Sequence, residues 1–406
     1  MAKVASIQVI ETIAREAAAE LTGNILPYWM NTMIDEEKGG FYGRRNGYDE
    51  LVAHADKGII LNTRILWTFS QASRVVKEPK EVADYLRIAD RAYDYICEHF
   101  IDRENGGLYW MVSMDGKPVY TKKQIYAQAF GIYAFTEYYL ATKNQTALDQ
   151  AITLFELIEE HSFDKIAGGY FEAFDRDWAA LEDLRLSEKD ANESKTMNTH
   201  LHVLEAYTNL LRCWKNAKLE RQLTKLITLF NTTIINKQHH LQLFFDDNWQ
   251  VKSDIISFGH DIEASWLLVE AATETMDQLL IQQTKEQAVK IVNAVINEGL
   301  NAHGALINEI HHGKPDTDLH WWPQAEAMVG FHEAYHITGD HQYLNRLETL
   351  WHFIKSNIVD RENGEWHWRL TEDNTIVRSE DKAGPWKCPY HNGRACMELM
   401  KRLTIE

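Results

Sequence analysis

Imidazole, guanidinium and carboxylate side chains recur in this sequence where a polar and aromatic run opens a long apolar segment. The last such run is Gly384-Pro-Trp-Lys-Cys-Pro-Tyr-His-Asn-Gly-Arg-Ala-Cys-Met-Glu398, which places His391 and Arg394 three residues apart. Pro385 and Pro389 keep the residues before it out of a helix, because proline lacks the backbone donor and restricts the preceding residue. Residues three apart on a helix share a face. The sequence therefore predicts a helix whose first turn presents an imidazole and a guanidinium to one pocket.

Five further apolar segments open in a similar way. Their openings are Asn62-Thr-Arg-Ile-Leu-Trp67, Tyr126-Ala-Gln128, Asn198-Thr-His-Leu-His202, Gly259-His-Asp-Ile-Glu263 and His320-Trp-Trp-Pro-Gln-Ala-Glu326. A helix opening buried in a core would consist of Leu, Ile, Val and Ala instead. These polar and aromatic residues are therefore candidates for a functional site rather than for core packing.

Helical spacing sorts these candidates further. Three pairs lie three or four residues apart and can each serve one pocket: Asn198 with His202, His260 with Glu263, and Trp322 with Glu326. His200 lies two residues from His202 and is expected to point elsewhere. Asp261 is likewise expected to point away, as a charge that complements the helix dipole.

Three chemistries could use these residues. A metal site would take His202, His260, Glu263 and His391 as ligands, but each histidine lies on a different predicted helix. An inverting glycosidase would need two opposed carboxylates, Glu263 with Glu326 or with Asp190. Proton abstraction from a carbon next to a carbonyl would use two imidazoles, with arginine and histidine polarising the oxygens. Several histidine-bearing motifs and few free carboxylates favour the third chemistry.

The elements that position these residues follow from a sixfold repeat. A glycine-aromatic phrase recurs as Lys38-Gly-Gly-Phe-Tyr, Asn105-Gly-Gly-Leu-Tyr-Trp, Ala167-Gly-Gly-Tyr-Phe, a degraded Gln238-His-His-Leu-Gln-Leu-Phe-Phe, His303-Gly-Ala-Leu-Ile and Asn363-Gly-Glu-Trp-His-Trp. Its first paired position falls at 39, 106, 168, 239, 304 and 364, a period of about 65 residues. Such a period indicates a repeat architecture.

Each phrase lies between two predicted helices. An amphipathic helix precedes it, at 5–33, 80–99, 145–161, 218–235, 280–299 and 340–358, and a more apolar helix follows, at 60–77, 123–142, 195–215, 260–274, 321–338 and 390–404. Between them lie short strands with turn signals such as Asp115-Gly116. Repeats one and six look like the others, whereas an open solenoid has atypical capping repeats. We therefore predict an all-α fold, an (α/α)6 barrel spanning residues 1–406 as a single domain, with the apolar helices inside and small β-hairpins on one rim.

Composition restricts the function classes. The net charge of −18 argues against nucleic acid or an anionic membrane surface as a partner, since both require a basic patch. No run of 18 apolar residues is present and Met1–Leu26 does not resemble a signal peptide. The four cysteines show neither metal spacing nor a disulfide framework, which favours the cytoplasm. Thirteen tryptophans and eighteen histidines suit sugar chemistry.

Four long motifs carry a specific resemblance that extends over essentially the whole chain. They are Lys195-Thr-Met-Asn-Thr-His-Leu-His-Val-Leu-Glu-Ala-Tyr207, Ser257-Phe-Gly-His-Asp-Ile-Glu-Ala-Ser-Trp266, His320-Trp-Trp-Pro-Gln-Ala-Glu326 and Trp386-Lys-Cys-Pro-Tyr-His-Asn-Gly-Arg394. The chain resembles the cellobiose 2-epimerases of the N-acylglucosamine 2-epimerase superfamily. The resemblance implies an (α/α)6 barrel and an isomerase that interconverts glucose and mannose at the reducing end of β-1,4-linked disaccharides, without metal or organic cofactor.

The resemblance also implies roles for individual residues. His260 and His391 match the acid/base pair, Arg64 and His202 match residues that polarise the C1 and C2 oxygens, and Glu263 matches a residue that orients His260. The substrate contacts would be Tyr126, Asp190, Asn198, Trp321 or Trp322, Glu326 and Trp386. The sequence departs from the expected pattern at Ala383-Gly-Pro385, where a bulkier apolar residue was expected beside the tryptophan.

Other functions would use the same residues or the same fold. A mannose/glucose 2-epimerase would use the same chemistry on free monosaccharides, and a glycosidase or a catalytically silent sugar-binding module could use the same barrel. We expect a small sugar as the only partner and a monomer, with no nucleic acid and no membrane.

Overall fold

The predicted helix pairs are present in the computed structural model, which describes residues 2–403 and the side chains of residues 8–402. The outer helices are α1 (Ala2–Glu20) continued by α2 (Leu26–Thr32), α4 (Pro79–Tyr95), α6 (Gln145–His161), α8 (Ala217–Leu229), α10 (Gln278–Glu298) and α12 (His341–Phe353). The inner helices are α3 (Ile59–Val75), α5 (Ile125–Thr142), α7 (Met197–Cys213), α9 (Phe258–Thr275), α11 (Trp321–Thr338) and α13 (Tyr390–Leu403). The predicted ranges 145–161 and 321–338 coincide with α6 and α11.

Four outer helices contain a π-helical turn that the periodic pattern did not predict. The turns are Leu21–Ile25, which joins α1 to α2, and Ile96–Phe100, Phe230–Ile234 and Ile354–Ile358, which end the other three. Each turn begins and ends with a buried apolar residue. The wider turn therefore keeps the apolar stripe facing inward, and this is why the hydrophobic pattern alone reads as an uninterrupted helix.

The inner helices form a closed ring. Each packs against the next from α3 to α13, and α13 packs against both α3 and α1. The ring is also closed at its rim, where the Arg45 N–H donates to the Ala383 carbonyl at 2.7 Å. This closure confirms the barrel and excludes an open solenoid.

The inner helices are more deeply buried than the outer helices, as predicted. In α5, every residue from Ile125 to Tyr138 is buried, whereas α4 buries one face only. Side-chain caps start several outer helices, because Asn144, Asn216, Asp277 and Asp340 accept N–H groups of the first turn. No helix within residues 2–403 is long and apolar enough to cross a membrane.

Short strands link neighbouring repeats at the rim where the inner helices begin. The strands that lead into inner helices are β1 (Lys57–Gly58), β4 (Lys123–Gln124), β6 (Lys195–Thr196), β8 (Ile256–Ser257) and β11 (Leu319–His320). Each pairs antiparallel with a strand of the next repeat, β2 (Met111–Val112), β5 (Ala173–Phe174), β7 (Phe244–Phe245), β9 (Glu309–His311) and β12 (Arg369–Leu370). Two further strands complete hairpins, β3 (Pro118–Tyr120) and β10 (Lys314–Asp316). The hairpins therefore hold the helix openings in a fixed circular order.

The glycine-aromatic phrase forms the turn between each outer helix and its hairpin. Its first paired position has a positive φ in all six repeats, at Gly39, Gly106, Gly168, His239, Gly304 and Gly364. Glycine adopts this conformation without steric cost, which explains its recurrence, and His239 is the one exception. In four repeats a buried lysine pairs with the aspartate of the same turn, as Lys195 Nζ does with Asp164 Oδ2 at 2.6 Å.

Side chains at the fourth position of four inner helices hold these turns. Gln128, His200, Asp261 and Gln324 accept the backbone N–H of Leu108, Tyr170, Leu241 and Leu306, respectively. His200 thus points away from His202, as its spacing predicted. Asp261 also points away and lies in the first turn of α9, where a negative charge complements the helix dipole. Its other oxygen lies 2.6 Å from His240 Nδ1, so it also anchors the fourth hairpin.

Candidate active site

The first turns of the inner helices meet at the rim that carries the hairpins, and their polar side chains converge there. Arg64 comes from α3, Tyr126 from α5, His202 from α7, His260 and Glu263 from α9, Trp322 and Glu326 from α11, and His391 and Arg394 from α13. All of them except His260 and Trp322 are buried, and those two are half-buried. The structure thus brings together residues that lie more than 300 positions apart.

Arg394 occupies the centre of this group. Its Nη2 donates to Glu263 Oε1 at 2.6 Å and to Glu326 Oε1 at 2.7 Å, and its Nη1 donates to Glu205 and to the Tyr390 hydroxyl. Three carboxylates from three different helices thus converge on one buried guanidinium. This network fixes the relative positions of α7, α9, α11 and α13 beneath the site.

The three carboxylates differ in their proton affinity. Burial would raise the pKa of Glu205, but Arg394 and a hydrogen bond from His202 outweigh it and lower that pKa to about 2. Burial and the neighbouring charge of Glu326 raise the pKa of Glu263 to about 7. Burial also raises the pKa of Glu326, against the opposing effect of Arg394. The positive charge of Arg394 alone therefore does not neutralise the three carboxylates. A second positive charge close to them would be stabilised.

His391 lies directly against this acidic cluster. Its Nδ1 is 2.6 Å from Glu326 Oε1 and 4.0 Å from Glu263 Oε1. Burial, followed by the positive charges of Arg64 and Arg394, lowers the pKa of His391 well below its usual value. The imidazole is therefore neutral at physiological pH and has a carboxylate behind it that would stabilise the protonated form.

His260 has a different partner. Its Nδ1 lies 2.8 Å from the Ser257 hydroxyl, in the strand that leads into α9. Burial, with a smaller contribution from His202, lowers its pKa to about 3. The expectation that Glu263 orients His260 is corrected, because that carboxylate is drawn instead to Arg394 on α13. His260 is thus a neutral imidazole held by a hydroxyl rather than by a carboxylate.

The indole of Trp322 contacts the imidazole rings of both His260 and His391. Its ring centroid lies 4.8 Å from that of His260 and 5.6 Å from that of His391. Trp321, the alternative candidate, is buried and packs against Trp368 at 4.9 Å. Both tryptophans contact the His391 ring, Trp321 at 6.2 Å, but only Trp322 is half-buried and also contacts His260.

A second cluster of polar side chains comes from the neighbouring helices α3, α5 and α7. Arg64 Nη2 donates to the Tyr126 hydroxyl at 2.8 Å, and its guanidinium carbon lies 4.5 Å from the ring centroid of Phe130 and 4.7 Å from that of Tyr390. The His202 ring contacts that of Tyr126 with centroids 4.9 Å apart. His202 is itself held by Glu205, whose Oε2 lies 2.9 Å from Nδ1. Two donors, a guanidinium and an imidazole, are thus fixed beside the two neutral histidines.

Two clefts open onto this rim, on either side of residues Leu186 and Ser187. The first encloses about 440 Å³ and is lined by Asp190, Asn198 and His260 among others. Among the side chains of residues 8–402 and the backbone of residues 2–403, the buried Asn198 Oδ1 has no hydrogen-bond partner, so it is available to a ligand. Asp190 accepts hydrogen bonds from the Ser187 N–H and hydroxyl, and so shapes the loop at the mouth of this cleft.

The second cleft is the more aromatic of the two. It encloses about 650 Å³ and is lined by Trp386 and Trp110, whose centroids are 5.8 Å apart. Trp386 is half-buried and also contacts Tyr126, at 5.9 Å. The structure explains why small residues precede Trp386. Ala383 is fully buried at the backbone hydrogen bond with Arg45 that closes the ring.

The alternative chemistries fit this arrangement less well. Glu263 and Glu326 share one guanidinium nitrogen and, with His391, place ligand atoms within 4.8 Å of one another. An inverting glycosidase separates its carboxyl groups by about 6.5–9.5 Å to admit water. A cation between these carboxylates would have to displace Arg394. The four-ligand set with His202 and His260 does not converge in the described part of the chain.

Two residues of the site, Glu205 and Ser257, were not predicted from the sequence. Glu205 lies three residues after His202, and Ser257 lies three before His260. The spacing rule that paired the other candidates could have identified Glu205, and it did place Arg394 beside His391. Nothing in the sequence showed that Arg394 would collect three carboxylates, since these contacts are long-range.

Comparison with known proteins shows the family of the chain. The N-acylglucosamine 2-epimerase (GlcNAc 2-epimerase) family profile matches residues 39–395. A "Cellobiose 2-epimerase" of Bacteroides fragilis is 51% identical over 393 residues, covering 96% of this chain and 99% of the relative. The corresponding enzyme of Ruminococcus albus is 42% identical, covering 95% and 98%. The solved cellobiose 2-epimerase of Bacillus thermoamylovorans superposes with a TM-score of 0.92 at 42% identity, covering 97% of this chain and all of that one.

With the family profile, the near full-length relatives and the closed ring in agreement, the chain belongs to the N-acylglucosamine 2-epimerase family.

Proposed function

We propose that this protein catalyses the reversible 2-epimerisation of the reducing-end glucose of cellobiose to mannose. The observation that carries the proposal is the pair of neutral imidazoles, His260 and His391, which approach the same indole from two different helices. Inversion at a carbon needs one base that removes a proton from one face and one acid that returns a proton to the other. Relatives named cellobiose 2-epimerase at 37–51% identity support the choice of sugar.

The chemistry follows from the open form of the sugar. Its C1 aldehyde acidifies the C2 hydrogen, and one neutral imidazole removes this proton. The electrons of the broken C–H bond form the C1–C2 double bond of a cis-enediol(ate). Rotation about C2–C3 then presents the other face of C2. The second imidazole takes up a proton from water and donates it there, while the electrons of the C1–C2 double bond form the new C–H bond and the C1 carbonyl re-forms. The first imidazole releases the proton it removed to water, so both histidines are neutral again at the end of the cycle.

Fixed charges have to supply much of the rate enhancement. General base catalysis contributes about 10²–10⁴-fold, and each preorganised donor to a developing oxyanion contributes about 3–4 kcal/mol. Arg64 and His202 are placed for this role: Arg64 packs against the rings of Phe130 and Tyr390 and donates to Tyr126, and His202 is held by the Glu205 carboxylate. Because both side chains are held before substrate arrives, little reorganisation is needed as the oxyanion forms.

Aromatic and polar side chains at the mouth would bind the sugar. Trp386 and Trp322 offer indole faces, and Asn198 offers an unpartnered carbonyl oxygen. Tyr126 and Asp190 line the same rim, and Glu326 acts from below by holding His391.

Incubation with cellobiose tests the proposal directly. We expect 4-O-β-D-glucosyl-D-mannose to accumulate to an equilibrium mixture, without release of free glucose. Release of glucose would instead indicate a hydrolase, and turnover of glucose with none of cellobiose would indicate a monosaccharide 2-epimerase. We also expect activity to survive EDTA; a loss that a divalent ion restores would contradict metal-independent catalysis.

We further propose that residues 1–406 act as one domain and as a monomer in the cytoplasm. The support is the single closed ring of inner helices and the free state of all four cysteines.

A further inference from the structure

Two histidines and an aspartate form a cluster on the protein surface, away from the buried site. Asp254 lies in the segment before β8, and His311 and His312 lie at the tip of the β9–β10 hairpin. His312 Nδ1 is 2.8 Å from Asp254 Oδ2, and His311 Nε2 is 3.7 Å from Asp254 Oδ1. One donor atom from each of the three residues lies within 4.8 Å of the others.

The hairpin turn sets the two imidazoles side by side. His312 has a φ of 50° and Gly313 a φ of 69°, the pair of positive values typical of a tight hairpin turn. Successive side chains of a strand would point to opposite faces. At this turn the two rings are instead stacked, with centroids 4.0 Å apart and an interplanar angle of 27°. Both imidazoles therefore face the same carboxylate.

The cluster has the chemistry of a transition-metal site. Imidazole nitrogens suit Zn²⁺, Cu²⁺ and Ni²⁺, whereas Mg²⁺ and Ca²⁺ prefer oxygen ligands. Metal–ligand distances of about 2.0–2.2 Å place the ligand atoms of a tetrahedral site about 3.3–3.5 Å apart. The side chains of His311, His312 and Asp254 are half or more exposed, so small rotations can bring their donor atoms to these separations.

We propose that Asp254, His311 and His312 bind one divalent transition-metal ion, with two nitrogen ligands, one carboxylate ligand and the remaining positions open to water. The ion would replace the hydrogen bond between His312 and Asp254. It would join the hairpin tip to the segment that leads into β8, at one end of the three-stranded sheet β8–β9–β10. The expected effect is therefore stabilisation of this part of the rim, since an ion that binds the folded state alone raises its stability.

Calorimetric titration of the metal-free protein with ZnCl₂ and with NiCl₂ tests the proposal. We expect one equivalent to bind, and binding to weaken at least tenfold in each of His311→Ala, His312→Ala and Asp254→Asn. His303→Ala is the matched control, because His303 is an exposed histidine in another turn, and it should bind as the parent does. MgCl₂ should give no binding at the same concentrations.

Two further measurements identify the ligands independently of affinity. The electron paramagnetic resonance spectrum of the Cu²⁺-loaded protein should show coupling to two nitrogens, and to one only in His311→Ala or His312→Ala. The melting temperature should rise with Zn²⁺ in the parent and in the His303 control, but not in the three cluster variants. Unchanged Zn²⁺ affinity in both histidine variants, or no binding at millimolar Zn²⁺, would overturn the proposal.

Discussion

Glu326→Gln removes the negative charge behind His391 while preserving the size of the side chain. In the parent, Glu326 Oε1 lies 2.6 Å from His391 Nδ1 and accepts from Arg394 at 2.7 Å, and Oε2 accepts from Trp266 Nε1 at 3.1 Å. The catalytic proposal requires His391 to carry a proton during part of each cycle. The carboxylate stabilises that protonated form, so its loss should slow the step in which His391 accepts the C2 proton.

The size of the effect follows from the contact. A hydrogen bond to a charged group contributes about 1.5–3 kcal/mol, and two unit charges 4 Å apart interact by about 4 kcal/mol at an effective dielectric constant of 20. Glu263 offsets part of the loss, since the charge of Glu326 helps to raise its pKa to about 7, and without that charge Glu263 would be more fully ionised. We therefore expect a loss of about 2–3 kcal/mol, which is about 30- to 150-fold in kcat.

The assay is the initial rate of cellobiose epimerisation as a function of pH, with the melting temperature as a check on folding. Removing the carboxylate lowers the pKa of His391 further, so this base remains unprotonated to lower pH. The acidic limb of the kcat/KM profile should therefore move to lower pH while its plateau falls. Trp266→Phe, which removes one donor to Glu326 but keeps an aromatic ring beside Arg394, is the control and should retain most of the activity. A folded Glu326→Gln variant with kcat within threefold of the parent would refute the role assigned to this carboxylate.

Three further substitutions test other parts of the site. Ser257→Ala removes the hydrogen bond to His260, worth about 1–1.5 kcal/mol, and should lower kcat about tenfold with little change in KM, whereas Ser257→Thr should restore most of the rate. Trp386→Ala should raise KM for cellobiose by severalfold to tenfold, because the lost aromatic contact contributes about 0.5–1.5 kcal/mol, and thermal stability should not change. An unchanged KM together with a large fall in melting temperature would show that Trp386 is a core residue. Lys387→Met leaves the fully buried Glu365 without its ion-pair partner and should cost about 3–5 kcal/mol of unfolding free energy by denaturant titration, an effect that a surface ion pair would not give.

The repeat architecture could be predicted from the sequence because its signals are local. The glycine phrase marks each turn, since glycine at positions such as 106 and 168 adopts a positive φ. Apolar periodicity then locates the helices on either side, and caps such as Asn144 fix where they begin. The π-helical turns could not be predicted in this way, because the apolar stripe continues through them.

The convergence of the polar helix openings could be predicted from the sequence, but the contacts among them only in part. Helical spacing separated His202 from His200 correctly, because both residues lie on one helix and their relative direction is fixed. The partner of Glu263 could not be derived in the same way. Its carboxylate is bound by Arg394 from a helix 131 residues away in the chain, a choice decided by tertiary packing.

The most direct test of the two-base mechanism replaces each imidazole in turn and follows hydrogen exchange at C2. His260→Asn and His391→Asn should both fold, with melting temperatures near that of the parent, and both should fail to produce glucosyl-mannose from cellobiose. In D₂O, at least one of them should still introduce deuterium at C2 of its starting sugar, because the remaining base can remove and return the proton on a single face. If either variant epimerises cellobiose within about tenfold of the parent rate, then one histidine is not required and the two-base mechanism is wrong.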